Sequence, residues 1–395
     1  MKIVVLSKSY EAALGIGRSL RLANYNDIDL VFVGNNGSDI ALSSNLFTSK
    51  KHIKKRDDEV VVNALIDNYG RMDSNEKSVL FSADDFTTSL IDRKCDELVK
   101  YFIFTHVDGY KSGSITQLMD KAFQMSVAPS FGLNVAETSK ISFVDGNFPI
   151  PDKIIYPCII KPEVSAEGAA KSNIKICNND KILRDHLSCL VQKNAKNNLL
   201  IQRLIDIENE YDIHGICNGE DVYIPIAHKK QLTAIHTKGV TVIGKLIDPA
   251  ELEPAISSLK ELLRSFHFHG LVDVELFQSQ GKTYLNEINL RAAGTCWAAT
   301  NAGVNLPDLF VQTLYDDNIP IEFGNIRFGD LFVNEKTAFE EVQFGFIHYR
   351  KLRSILKKGF GLIQDQNDIM PWKVFKKSMN KRILHMKIKK FLHKS

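Results

Sequence analysis

The chain has 395 residues, of which 44% are hydrophobic and 25% charged, the balance of a soluble globular protein with two to three domains at roughly 150 residues each. No run approaches the ~18 apolar residues of a membrane-spanning helix, and its six cysteines form no C-x-x-C pair, so collagenous, zinc-finger, disulfide-scaffold and membrane-spanning classes are excluded. Residues 1–6 run straight into an apolar stretch without a signal-peptide core, and with the scattered cysteines this predicts a cytoplasmic protein. The formal charge of +3 conceals an asymmetry. Arg350 to Ser395 carries fourteen Lys and Arg against Asp365 and Asp368, which leaves −9 for residues 1–349. An acidic body of this kind does not predict nucleic-acid binding.

In chain order, residues 2–6 read as a short β-branched strand, and 12–23 as a helix carrying Gly15 and Gly17. Residues 29–34 form a second strand, closed by the turn signal Gly34-Asn35-Asn36-Gly37. Residues 59–69 are helical, 78–82 a third strand and 83–99 a further helix. This alternation predicts a parallel sheet covered by helices on both faces. Gly15-Ile16-Gly17 does not complete a dinucleotide fingerprint, because the third glycine position is Leu20. A helix over 118–131 precedes the Pro/Gly-punctuated boundary at 146–151. A strand at 156–162 follows, then a small-residue loop at 165–171, a strand at 173–177, a helix at 180–192 and a strand at 199–203. Residues 210–217 and 221–227 form a hairpin across Asn218-Gly219, and 249–268 is helical. Residues 270–277 then pair with 282–289 across Gln280-Gly281.

That last hairpin carries the strongest chemical signal. Glu287, Asn289 and Arg291 alternate, so a period of two puts them on one face together with Leu285, with Ile288 and Leu290 behind. Asp273 and Glu275 share a face on the preceding strand, and the tight turn brings Glu275 close to Glu287. Two carboxylates and an amide oxygen make an oxygen donor set suited to a hard cation such as Mg²⁺. Without a cation or a proton, the adjacent carboxylates repel each other. His267-Phe268-His269 offers two imidazoles without a third ligand, and structural histidines are expected there. G-x-S-x-G and similar nucleophile motifs are absent.

Several segments taken in order resemble the ATP-grasp superfamily. They are Asp120-Lys121, Ile159-Ile160-Lys161-Pro162, the Ala/Gly loop, Leu200-Ile201-Gln202-Arg203, Asn209-Glu210-Tyr211, Val274-Glu275-Leu276 and Asn286-Glu287-Ile288-Asn289-Leu290-Arg291. The resemblance covers roughly residues 1–315 and is nearest to the carboxylate–amine ligase branch, which includes D-aspartate ligase and relatives of the ATP-binding domains of carbamoyl-phosphate synthase and biotin carboxylase. It implies an α/β architecture with a parallel-sheet pre-ATP-grasp domain at 1–115. A two-lobed α+β ATP-grasp domain would follow at 116–330, with its central lobe near 150–205, and a C-terminal extension with a basic helical tail at 331–395.

The resemblance also implies roles. Lys161 and Lys121 would sit on the ATP phosphates, and the loop containing Ser165 and Gly168 would close over them, although Glu167 is an unusual residue there. Gln202, Arg203, Leu204 and Ile205 would form the hinge beside adenine, with Glu210 on the ribose. Glu275, Glu287 and Asn289 would hold one or two Mg²⁺ or Mn²⁺ ions, and Arg291, with Lys161, would neutralise charge during catalysis. The implied activity is an ATP-dependent ligase that joins a small carboxylic acid to an amine through an acyl phosphate, acting on an amino acid or a cell-envelope precursor. The alternatives are a bicarbonate-using carboxylase or carbamoyl-phosphate-type enzyme, and a non-catalytic nucleotide-binding protein. Lys229, Lys230 and residues 236–239 are candidates for contact with a substrate anion. Oligomeric state has no readable code, a homodimer being one option.

Residues 344–347 read as a strand and 349–352 as the start of a helix. From Trp372 onward, Ile383, Leu384, Ile388, Phe391 and Leu392 fall on one helical face with lysines around them. This pattern fits contact of 372–395 with the anionic inner surface of a membrane. The other expectation is packing on the acidic body.

Overall fold

The computed structural model describes residues 1–72, 77–163, 174–194, 198–237, 239–314 and 323–392. Its first sheet has five parallel strands in the order Ser49–Ile53, Ile28–Val33, Ile3–Ser7, Ser78–Ser82, Phe102–Phe104. Ile3, Val5, Leu30 and Phe32 pack into one core, while Val4, Leu6, Val31 and Val33 pack into another. Burial on both faces is why these runs are continuously apolar in sequence. Strand order reverses at Ile3–Ser7, and in open parallel sheets such a switch point opens a crevice beyond the strand ends. The helix Tyr10–Leu22 starts there, with Ser9 Oγ accepting the Ala12 N–H at 3.4 Å. Gly15 and Gly17 lie inside this helix and not at a phosphate-binding turn. A methyl group at Gly15 would stand 2.7 Å from Cys296 Sγ, and one at Gly17 would stand 2.9 Å from the Phe47 ring. Close packing is therefore what these glycines permit.

The second sheet has four antiparallel strands, ordered Lys175–Cys177, Cys158–Pro162, Leu199–Arg203, Thr138–Ile141. Cys158, Ile160, Leu199 and Ile201 face Leu183, Leu187 and Leu190 of the helix Asp180–Gln192. Each such side chain, fully buried, contributes about 1.5–3 kcal/mol. Alternation then leaves Ile159, Lys161 and Gln202 on the opposite face.

The third sheet has nine strands, with Asp221–Thr233, Asn209–Gly219, Phe268–Ser279 and Lys282–Asn289 antiparallel at its centre. Its back buries Ile213, Val274 and Ile288 against Ile256, Leu259 and Leu263 of the helix Ala255–Arg264. Its front carries Glu210, Asp212, Asp273 and Glu275. Leu285 departs from the expected alternation. Glu275 pairs with Glu287 while the adjacent Leu276 pairs with Leu285, so Asn286 is the extra residue of a β-bulge. The bulge turns Leu285 into the back core with Ile288 and Leu290 and leaves Glu287 on the polar front.

Other differences have local causes. Residues 83–99 form two helices, Asp85–Arg93 and Cys95–Leu98. Residues 249–268 comprise a 3₁₀ turn at Pro249–Leu252 and the helix Ala255–Arg264, and Phe268 opens the next strand. Phe344 ends the helix Glu335–Phe344 and starts no strand, because Gly345 at φ +86° caps the helix in the left-handed region. Ser49–Ile53 and Thr241–Ile247 are strands that the sequence reading did not anticipate.

The C-terminal segment is tied to the first helix. Glu335 is 1% exposed and accepts the backbone N–H groups of Leu362 at 2.8 Å, Ile363 at 3.0 Å and Gln364 at 2.9 Å. Arg18 donates to the Leu362 carbonyl at 2.6 Å and the Ile363 carbonyl at 2.7 Å. The helix Ile369–Leu392 then buries Trp372, Phe375, Met379 and Ile383 with Tyr10 and Phe339. Leu384 and Ile388, on a different side of the same helix, are 58% and 50% exposed.

Candidate functional site

A cavity of about 710 Å³ opens between the front of the third sheet and the inner face of the second, reaching the switch point of the first. Its lining includes Lys121, Lys161, Gln202, Arg203, Leu204, Ile205, Glu210, Glu275 and Glu287. Arg291 and Asn289 lie beside this cavity and not in its lining, and Ser165 and Gly168 fall outside the described residues.

Lys161 reaches the cavity because Ile159 and Lys161 face away from the Asp180–Gln192 helix. It has no ion-pair partner among the described residues, and burial, followed by the charge of Lys121, pulls its pKa down to about 8. Glu287 and Glu275 offset this only in part, and a buried ammonium without a paired carboxylate is suited to receiving an anion. Lys121 begins the helix Lys121–Val127, which Asp120 caps by accepting the Phe123 N–H at 2.7 Å. Its ammonium lies 3.1 Å from Glu287 Oε2. Both cations therefore stand at one end of the acidic sheet face.

Beside them, Ile159, Leu204, Ile205, Ile207 and Phe277 supply an apolar slot of the kind that sandwiches a planar base. The N–H groups of Arg203 and Leu204 are already bonded to the carbonyls of Glu137 and Pro157, each at 2.9 Å. These two N–H groups are therefore not open to a base edge, which the resemblance would place along this stretch. Gln202 Nε2 is held by Thr138 Oγ1 at 2.9 Å.

The sheet face is strongly acidic. Register places Asp212 opposite Glu275, Glu210 opposite Phe277, and Glu275 opposite Glu287. Lys230 bridges Glu210 at 3.3 Å and Asp212 at 3.1 Å. Burial pulls the Lys230 pKa down, but Asp212, Glu275 and Glu210 together hold it above the ordinary range. Burial pushes the Asp273 carboxyl up to about 7, with Asp212 and Glu275 adding to the rise and Arg291 offsetting it. Burial likewise raises the Glu275 pKa; Lys230 opposes this, and Asp212 and Glu287 reinforce it. On the same face, His228 Nε2 meets Asp212 at 2.9 Å and its Nδ1 meets His214 Nε2 at 3.0 Å. Burial brings the His214 pKa down to about 3, so this imidazole is neutral at physiological pH.

Glu275 and Glu287 face each other across the hairpin and are the carboxylates that could hold a divalent cation. Asn286, the bulge residue, donates to Glu275 Oε2 at 2.9 Å and lines the cavity, whereas Asn289 is buried opposite Asp273. Among the described residues, no three His, Cys, Asp or Glu side chains stand together as a ready-made metal cage. Two carboxylates with the remaining positions open fit Mg²⁺, which is usually held by one or two carboxylates plus substrate phosphates.

Arg291 is locked by Asp85 and by Asp273 at 3.0 Å. Burial opposes its charge, yet these two carboxylates keep its pKa above the ordinary range. It ties the first sheet to the third at the cavity's edge. Of the anion candidates, Lys230 lines the cavity, while Lys229 lies over the Tyr211 ring at 5.9 Å. His236 lines the cavity and stacks on Phe344 with ring centroids 3.6 Å apart. His267 and His269 sit elsewhere, His269 held by Asp108 at 2.7 Å. Sequence reasoning passed over Asp212, Asn286, Ser9, Glu11, Asn334 and Lys336. Parity with Glu210 could have revealed Asp212, but nothing local marks the others.

A cleft between two sheets, with lysines at one end of an apolar slot and paired acids facing them, is the arrangement that the ATP-grasp resemblance implies. The family described as "ATP-grasp in the biosynthetic pathway with Ter operon" matches residues 195–326. The carbamoyl phosphate synthase large chain of Gemmatimonas aurantiaca is 21% identical over 255 residues, which is 63% of this chain and 22% of that one. The chain thus spans about a fifth of the length of that relative. Among solved structures, the L-amino acid ligase of Bacillus licheniformis superposes with a TM-score of 0.61 at 12% identity, covering 81% of this chain and 77% of that one. The biotin carboxylase domain of Hydrogenobacter thermophilus 2-oxoglutarate carboxylase, solved with MgADP, ADP and bicarbonate, gives 0.61 at 15% identity over 84% and 73%. The N5-carboxyaminoimidazole synthetase of Staphylococcus aureus, complexed with ADP, gives 0.60 at 14% identity over 82% and 79%. Residues 195–326 thus match an ATP-grasp family, and the likeness of the chain to these solved structures is one of fold.

Proposed function

We propose that the protein is a Mg²⁺/ATP-dependent carboxylate–amine ligase that forms an amide through an acyl phosphate. The observation that carries this reading is the convergence, in one cavity, of Lys161 and Lys121 with the facing pair Glu275 and Glu287. A carboxylate resists amine attack because its delocalised anion has no good leaving group, and transfer of the ATP γ-phosphoryl group supplies one. The amine then attacks the acyl phosphate, and phosphate departs.

In this scheme Lys161 and Lys121 neutralise the phosphates, and the slot formed by Ile159, Leu204 and Phe277 orients the base. Lys230 keeps Glu210 and Asp212 in place beside the ribose end. Glu275 and Glu287, with Asn286 or Asn289 beside them, would hold Mg²⁺ or Mn²⁺, which would supply charge neutralisation at the phosphates. Arg291 acts by fixing Asp273 and Asp85, closing the cavity edge. The likeness to carbamoyl phosphate synthase and biotin carboxylase supports a second reading in which bicarbonate is the acid.

ADP release from Mg·ATP separates the readings. Stimulation that requires both an acid and an amine, drawn from amino-acid pools, is the expected result. Stimulation by bicarbonate alone favours the second reading, and no stimulation by any pool leaves a nucleotide-binding protein without this activity.

We further propose that a cytoplasmic pool of the protein contacts anionic membrane surfaces through 372–395. No helix among the described residues is long and apolar enough to cross a membrane. Leu384 and Ile388 nevertheless project outward from a helix end with no acidic residue after Asp368. Each Lys or Arg near an anionic surface contributes on the order of 1 kcal/mol. The full chain is expected to sediment with vesicles containing 30% phosphatidylserine at low salt. Leu384→Glu together with Ile388→Glu should abolish this, and equal retention on purely phosphatidylcholine vesicles would exclude the charge-based contact.

A further inference from the structure

The family match ends at residue 326, yet the cavity wall continues into the C-terminal part of the chain. Past the phosphate end, Ser9, Glu11, Thr295, Asn334 and Lys336 complete the lining. Glu11 lies in the first turn of the helix Tyr10–Leu22, and Lys336 in the first turn of Glu335–Phe344. Glu11 Oε1 stands 3.2 Å from Lys336 Nζ, their side chains 12% and 34% exposed. Glu11 keeps the Lys336 ammonium above its ordinary pKa, and the neighbouring Glu340 carboxyl is also raised, chiefly by burial.

Both members are carried on fixed backbone. Asn334 caps the second helix by accepting the Thr337 N–H at 3.1 Å, and Glu335 anchors the same turn to residues 362–364. Ser9 caps the first helix. An ion pair lining a cavity offers an entering molecule one anion and one cation a few ångströms apart. A molecule bearing both an ammonium and a carboxylate on neighbouring atoms matches both charges at once. A molecule with only one of them leaves a half-buried charge without its complement.

We propose that Glu11 and Lys336 form the recognition site for a zwitterionic substrate, an α-amino acid in chemical class, with its ammonium on Glu11 and its carboxylate on Lys336. The assignment rests on the ligase reading and names the class of one of its substrates. It also makes Lys336 a specificity determinant supplied from outside the family-matched stretch.

The test uses the full chain with Mg·ATP and measures ADP release across the twenty amino acids, their N-acetyl derivatives and the corresponding decarboxylated amines. Binding of Mg·ADP is measured separately. The expected result is stimulation by one or more free amino acids and at least tenfold less by either modified form. Lys336→Met and Glu11→Gln should raise KM for that amino acid at least tenfold, while Mg·ADP affinity stays within twofold. Equal use of the N-acetylated or decarboxylated forms would overturn the assignment, as would unchanged KM in both variants or no stimulation by any zwitterion. If the unaltered protein fails to bind Mg·ADP, the ligase reading falls as well, which separates the two failures.

Discussion

Replacing Lys161 with Met is expected to weaken nucleotide binding roughly 30- to 150-fold, while making the ligand-free protein more stable. The two effects have opposite signs for one reason. In the empty cavity the Lys161 ammonium is short of a counter-charge, and its pKa is pulled down to about 8. Losing a charge-assisted contact to phosphate costs about 2–3 kcal/mol of affinity. Removing the same charge from the empty protein relieves up to about 3 kcal/mol at pH 7, at ~1.36 kcal/mol per unit of depression. A lysine depressed in the folded state binds fewer protons there than in the unfolded chain between about pH 8 and its ordinary value near 10.5. Stability of the unaltered protein should therefore rise with pH across that window, and Lys161→Met should flatten the rise. Binding of ADP runs the other way, weakening as pH climbs past about 8, because the anion favours the protonated form. Urea titrations at pH 7 and pH 9.5, paired with calorimetric ADP binding, check both signs. Equal ADP affinity in the variant would remove Lys161 from the phosphate site.

Glu287→Gln should reduce Mg·ATP turnover at least 100-fold with little change in thermal midpoint. Glu287 faces Glu275 across the hairpin and lies 3.1 Å from Lys121, so under the proposed function its charge would serve both a divalent cation and a phosphate-binding lysine. The amide keeps the shape but loses the charge, and with it the differential stabilisation of the transferring phosphoryl group. Metal-free ADP should bind the variant at least as tightly, because Lys121 is released from its carboxylate. The contrast between lost Mg²⁺-dependent turnover and retained metal-free binding is the diagnostic. Normal amide formation by the variant would refute the metal assignment.

The alternation of apolar runs and helical patterns made the first sheet legible, because residues such as Val4, Val5 and Leu6 are buried on both faces. Ser49–Ile53 escaped because Lys50 and Lys51 give an edge strand a polar reading. Thr241–Ile247 lies in a stretch to which the sequence reading assigns no element. The paired acids Glu275 and Glu287 were legible because a two-residue turn fixes register over the few residues between them. The bulge at Asn286 was not, since one extra residue leaves composition unchanged while turning Leu285 to the other face. Phe344 and Phe346 suggested a strand, but the left-handed Gly345 ends a helix there instead. Glu11 and Lys336 carried no local mark, because they meet only through tertiary packing of segments more than three hundred residues apart.

The clamp of Glu335 and Arg18 on residues 362–364 has a practical corollary for anyone trimming the polypeptide. A truncation made just after residue 326, where the family match ends, would spare Lys121 and Lys161 yet strip away one side of the chamber. If the proposed roles hold, such a shortened product is expected to capture ADP while losing its discrimination among acceptors, and its promiscuity would be an artefact of the cut.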